Sequence, residues 1–250
     1  MIKKFLFTGL AVFLVCCKKD QKASLNAEKI LFSNKVYDAG NCTDCPTISI
    51  EIPEATGTDS ISKKINKVIV LYISSVFNND DFLSESIQQD IETFKADYTD
   101  LRNRFPEEII PWEATVKGYV NYQSPAVISL KFDSYMFTGG AHGYGATHYL
   151  NFNPSNGKRL NNEELFNDTN AFMKLAENEF RGHKKIGLGT SINSTGFMFD
   201  NDTFSLPKAI GFTPQGLELI YNPYEIASYA EGSITLNFPY NKIEGQLKVQ

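Results

Sequence analysis

The sequence predicts an α+β protein: an antiparallel sheet with helices packed on it, arranged as two consecutive small α/β-mixed subdomains. Three observations carry that prediction. Apolar residues recur at helical spacing in two adjacent segments and once more later in the chain. Between and after those segments the apolar spacing drops to two, as in half-buried strands. The helical and extended blocks do not alternate regularly, so a sheet built from repeated β–α–β units is not expected.

The elements follow in order. Met1 to Cys17 holds Lys3 and Lys4, an apolar run from Phe5 to Val15 broken by Thr8 and Gly9, and the pair Cys16-Cys17. The run is too short to cross about 30 Å of hydrocarbon, so residues 1–16 read as a signal peptide. Leu14-Val15-Cys16-Cys17 resembles a bacterial lipobox, which makes Cys17 the expected lipid acceptor. A plain secretory signal cut elsewhere is the alternative. Lys18 to Ala27 is polar, and residues 17–27 read as a tether between lipid and domain.

Cys42-Thr43-Asp44-Cys45 precedes Pro46 and the alternating stretch Ile48-Ser49-Ile50-Glu51-Ile52, a strand pattern. A redox pair would need its first cysteine at a helix N-terminus, where the thiolate is stabilised. A local disulfide between Cys42 and Cys45 fits an oxidising compartment better, with the redox reading left beside it. Zinc would need two further ligands, and none stands at suitable spacing.

Thr56 to Asp59 offers helix caps, and Ile61, Ile65, Val68, Ile69, Tyr72, Ile73 and Val76 predict a helix over 59–77. Phe82, Ile87, Ile91, Phe94, Tyr98, Leu101 and Phe105 predict a second, closed by Pro106 and Pro111. From Trp112 the period is two: Ala114, Val116, Gly118, Val120 and Tyr122, then Val127 to Phe137, read as paired strands. Gly145 to Phe152 is a further strand, ended by the turn at Asn153-Pro154-Ser155-Asn156-Gly157. A third helix is expected over 162–182. Strands at 204–213, 217–221 and 233–238 complete the chain.

The formal charge of −5 becomes about −7 once Lys3 and Lys4 leave with the signal peptide. An acidic chain without a basic stripe is unsuited to nucleic acid, whose binding rests on phosphate neutralisation. A cationic partner suits it, and solubility alone also explains the balance. About 230 remaining residues allow one large or two small cored domains.

Two segments stand out chemically: Phe137-Thr138-Gly139-Gly140-Ala141-His142-Gly143-Tyr144-Gly145, and Tyr221-Asn222-Pro223-Tyr224-Glu225-Ile226-Ala227-Ser228-Tyr229-Ala230-Glu231-Gly232 running into a strand. Gly139, Gly140, Gly143 and Gly145 permit positive φ or very close backbone approach. The loop feeds a strand rather than a helix N-terminus, which argues against a phosphate cradle. His142 could serve as a base or ligand, or as a hydrogen-bonded structural residue. Tyr224, Glu225 and Tyr229 are candidates for a polar cluster with it. His148 and His183 add no ligand spacing.

Together these segments resemble the C-terminal domain family of unknown function in the Bacillus anti-sigma factor RsiV. Cys45-Pro46-Thr47-Ile48-Ser49-Ile50 and Ile65-Asn66, with the helical segment around them, resemble the companion domain that precedes it in RsiV and in the peptidoglycan deacetylase PdaC. The resemblance implies a PdaC/RsiV-like N-terminal domain over 28–122 and an RsiV-like C-terminal domain over 123–250. In RsiV that extracellular part is a lysozyme receptor joined to a membrane helix and a sigma-binding segment, neither of which is seen in this sequence. In PdaC the deacetylase chemistry belongs to a further domain.

The expectation is therefore an envelope lipoprotein, held at the outer membrane on its periplasmic or surface face, that binds a cell-wall glycan (peptidoglycan) or a cationic protein such as lysozyme. Gly139, Gly140, His142, Tyr144, Tyr224 and Glu225 are the candidate binding residues, with no catalytic residue, metal or cofactor called for. Exposed rings among Tyr119, Tyr122, Tyr135, Tyr144 and Tyr149 would suit sugar stacking. The rival readings are a cell-wall hydrolase using His142 with Asp133 or Glu225, and a structural or assembly lipoprotein.

Overall fold

The computed structural model describes residues 29–38, 45–78, 83–107 and 110–249. The expected signal peptide, Cys17, the tether and Cys42 lie outside the described residues.

β1 (Phe32–Asp38) pairs antiparallel with β2 (Thr47–Ala55). Two helices, α1 (Ser60–Phe77) and α2 (Ile87–Arg104), then carry the chain to β3 (Glu113–Gln123), which lies parallel to β2 as such a crossover permits. β4 (Ile128–Phe137), β5 (Tyr144–Phe152) and the two-residue β6 (Arg159–Leu160) extend the sheet antiparallel, in the order β1 to β6. After α3 (Thr169–Lys184) comes a long irregular segment and a second antiparallel sheet of β7 (Ala209–Phe212), β8 (Gly216–Tyr221) and β9 (Ile234–Pro239). The class is α+β, as the sequence predicts.

Local chemistry sets the element ends. Asp59 accepts from the backbone N–H groups of Ile61 and Ser62 at 2.7 and 2.9 Å, capping α1. Ser86 caps α2 and Asp168 caps α3. The third helix is shorter at its start than its apolar pattern suggests. Asn161 and Glu164 close a separate 3₁₀ turn at Asn162–Leu165 before Asp168 starts α3. β7 is likewise shorter than expected, because Pro207 has no N–H to give a strand ladder.

Two cores divide the molecule. Ile65, Ile69 and Ile73 of α1 and Ile87, Ile91 and Phe94 of α2 pack on Ile48, Ile50, Val116, Leu130, Phe132, Leu150 and Phe152 of the large sheet. Each such side chain contributes roughly 1.5–3 kcal/mol when fully buried. In the second core, Phe172, Ala176 and Phe180 of α3 meet Leu217, Leu219, Tyr221, Leu236 and Phe238 of the small sheet. Phe197, Phe199 and Phe204 from the irregular segment close around Phe180, with ring centroids 5.0 to 5.8 Å away. The expected division at 122/123 falls inside β3, within its hairpin with β4. The large sheet runs through it to Leu160, and the second core draws mainly on residues beyond that strand.

The two sheets meet face to face over β4 and β5, leaving α1 with α2 and α3 on the outer sides. Tyr149 lies with Ala209 and Ile220 at the junction, its ring against Gly211, where an added Cβ would fall 2.0 Å from the ring. Polar groups complete the join: Asn151 donates to the Ile210 carbonyl at 2.8 Å and the Phe212 N–H donates to Ser129 at 3.0 Å. Lys131 and Glu218 form a half-buried ion pair at 2.9 Å, and the Tyr149 hydroxyl also donates to Glu218.

One expected alternation fails. The β3–β4 register slips between Val120 and Tyr122, a bulge at Asn121, so Tyr122 leaves the face of Val116 and packs on Phe212 and Tyr240 of the second core. Asn121 meanwhile donates to the Phe212 carbonyl at 2.6 Å.

Candidate functional site

β5 borders only two residues of β6, so its other edge positions offer unpaired backbone groups. The Tyr221–Ser233 connection of the small sheet runs along that edge. Asn222 fixes it there: its side-chain oxygen accepts from the Thr147 N–H at 2.8 Å and its amide donates to the Thr147 carbonyl at 2.9 Å. Glu225 tightens the turn by accepting from the N–H groups of Lys208 and Asn222 at 2.8 and 2.9 Å.

This docking brings the two distinctive segments together. The turn between β4 and β5 runs through Gly139 and Gly140, at φ +105° and +89° with open space where a side chain would stand. Their role is conformational and not close approach. Gly143 differs, since a Cβ there would fall 2.4 Å from the Tyr135 ring. His142 stacks on Tyr229 at 4.1 Å with 17° between the rings, and Tyr224 lies 6.4 Å from it and 5.5 Å from Tyr229. Tyr144 reaches the Pro223 carbonyl at 3.4 Å. The result is an aromatic platform open to solvent, with Tyr224 56 % and Tyr144 44 % exposed.

Hydrogen bonding settles the His142 tautomer. Nδ1 lies 2.9 Å from the Gly143 carbonyl, which can only accept, so Nδ1 carries the proton. Nε2 then accepts from the Tyr224 hydroxyl at 3.3 Å. Tyr224 is held at φ +68°, a left-handed conformation costly for a bulky L-residue and characteristic of sites that need a fixed geometry. Burial and the nearby Glu225 charge push the Tyr144 phenol up.

Of the expected residues, His142, Tyr144, Tyr224 and Tyr229 come together, with Gly139 and Gly140 shaping the loop. Glu225 lies in the same connection, its carboxylate oxygens accepting from the backbone N–H groups of Lys208 and Asn222. Asp133 accepts from the Thr147 hydroxyl at 2.7 Å. Neither acid is bonded to His142, whose two nitrogens meet a carbonyl and a phenol. Among the tyrosines named for stacking, Tyr149 is core, Tyr122 and Tyr135 are half-buried, and Tyr119 and Tyr144 are exposed. Asn222, Glu218 and Lys131 escaped the sequence reading, because their role depends on a register that one strand alone does not reveal. Among the described residues no cluster of three or more His, Cys, Asp or Glu could hold a metal, and no helix is long and apolar enough to cross a membrane.

Comparison with known proteins follows the same division. Residues 40–144 match the family model described as deacetylase PdaC. Residues 163–241 match a protein family of unknown function, DUF3298. The segment holding His142, grouped by the sequence reading with the C-terminal domain, falls in the first match, whereas Tyr224 and Tyr229 fall in the second. The platform is thus built from both. A DUF3298 family protein from Pseudomonas aeruginosa has a similar solved structure, with TM-score 0.60 and 18% identity over 89% of this chain and 96% of that one. A member from Bacteroides fragilis gives TM-score 0.60 and 21% identity over 87% and 92%. These likenesses show the fold. No curated protein matches the chain.

Proposed function

Because the chain joins a PdaC-type region to a DUF3298 domain, we propose that it is a non-catalytic recognition module of the cell envelope, holding a cell-wall glycan on the platform of His142, Tyr224, Tyr229 and Tyr144. The observation that carries this reading is Tyr224: a solvent-exposed ring on a backbone held at φ +68°, with its hydroxyl bonded to His142. Aromatic faces receive the apolar side of a sugar ring, and the surrounding hydroxyl, amide and carbonyl groups can pair with its hydroxyls. Hydrolysis with His142 as base is the weaker reading, since no carboxylate orients that ring among the described residues.

Calorimetry with peptidoglycan fragments tests it. Saturable binding should weaken at least about tenfold in Tyr224→Ala, the loss of roughly 1.4 kcal/mol or more. Binding unchanged by that substitution removes the platform from the reading. A cationic protein such as lysozyme is the second partner class, supported by the net charge of −5. Its binding should fall steeply with added salt, whereas glycan stacking should not.

The module is proposed to be tethered to the outer membrane through a lipid on Cys17. Cys17→Ala should release it from the membrane fraction, and unchanged partition would rule the anchor out. Cys42 and Cys45 are proposed to pair. Non-reducing peptide mapping should recover them linked, and two alkylatable thiols in the exported protein would refute the pairing.

A further inference from the structure

A second polar cluster lies further along β5, away from the platform. His148 stacks on Tyr72 of α1, with centroids 4.6 Å apart and 14° between the rings. From β6, an Arg159 guanidinium nitrogen donates to His148 Nε2 at 3.4 Å. The proton therefore sits on Nδ1, which meets no acceptor among the described residues. Arg159 has no carboxylate within salt-bridge distance among the described residues. Such a cation, partly desolvated yet reachable from solvent, is incompletely compensated.

We propose that Arg159 and His148 form an oxyanion subsite that takes a carboxylate or phosphate group of a ligand. The guanidinium fork presents paired N–H donors matched to either group, and an anion entering beside His148 Nε2, the nitrogen that faces Arg159, makes that nitrogen a further donor once it takes up a proton from solvent. The subsite stands on its own geometry and does not require the glycan reading. It lies roughly 14 Å along the strand from Tyr144, at about 3.4 Å per residue.

The electrostatics agree. Burial and the adjacent Arg159 charge hold His148 down at about 4, so it stays neutral while the site is empty. The other titratable neighbours are Tyr72, whose phenol burial pushes up, and Asp133, whose charge acts on Tyr72. An anion placed beside both groups favours the imidazolium, so its binding and protonation of His148 reinforce one another.

The test follows the ring signals of the three histidines by NMR through a pH titration of the purified protein, in chloride, inorganic phosphate and acetate at matched ionic strength. In the wild type, phosphate or acetate should move the His148 midpoint upward by about one pH unit or more, tenfold in proton affinity, while His142 and His183 stay put. A response to phosphate alone assigns a phosphate-bearing ligand, and a response to acetate alone a carboxylate. Arg159→Gln, at an exposed position, should raise the His148 midpoint in chloride and abolish the anion response. Identical His148 midpoints in all three salts, or equal movement of all three histidines, would overturn the proposal.

Discussion

Asn222 occupies the place of a missing strand: its side-chain amide bonds both the N–H and the carbonyl of Thr147 on the edge of β5. Asn222→Ala should remove both bonds and leave two edge groups to water. A loss of about 1–3 kcal/mol in denaturant unfolding is expected. The Thr147 amide should exchange with solvent much faster than in the wild type, and unchanged protection there would show that the bond is dispensable.

The left-handed backbone at Tyr224 separates stability from recognition. Glycine adopts φ +68° without steric cost, so Tyr224→Gly should be more stable than Tyr224→Ala by about 1 kcal/mol. Both variants should lose glycan binding. Parallel thermal unfolding and calorimetry would check the pair, and equal stabilities would show that the backbone strain is negligible.

Gly211 lies where the two sheets are closest. Gly211→Ala would drive a methyl group into the buried Tyr149 ring. The cost should be about 1–3 kcal/mol, and Tyr149→Leu in the same chain should recover part of it. Additive effects of the two substitutions would mean that they do not meet.

His148 makes stability depend on pH. Its folded value of about 4 lies below its ordinary 6.5, so between those limits the unfolded chain takes up a proton that the native one refuses. Stability is therefore fully present above about pH 6.5, falls as the pH drops, and levels off near 4. The total loss is on the order of 3 kcal/mol. Denaturant titrations in chloride at intervals across that window should show the slope for the wild type and a flatter line for His148→Gln.

Much of this fold was legible in the chain itself. Ile65, Ile69 and Ile73 announce α1, and Asp59 announces its start, because helix period and capping are local properties. Alternation at Ile48, Ile50 and Ile52 does the same for β2. β1 carries no such local signal, because Phe32 to Asp38 is mostly polar and is held by its seven-residue pairing with β2. The bulge at Asn121 was invisible for a related reason: nothing in the alternation of β3 reveals that Tyr122 finds better packing on Phe212 across the sheet. Of the site, the glycine loop and the tyrosine-rich turn stand out as segments, whereas their meeting at His142 depends on the docking of the connection by Asn222 and is not written in either segment. Arg159 and His148 carried no signal, eleven residues apart on two strands whose pairing closes only in three dimensions.

The split origin of the platform gives a ligand a role beyond occupancy. His142 rides on the large sheet and Tyr224 on the connection from the small one, so a molecule touching both is a fastener across their join. Its binding free energy adds to the docking of the two halves by mass action, about 2.7 kcal/mol at a hundredfold excess over Kd. The intact chain should then resist thermal unfolding more strongly when the glycan is supplied, turning recognition into a measurable adhesive.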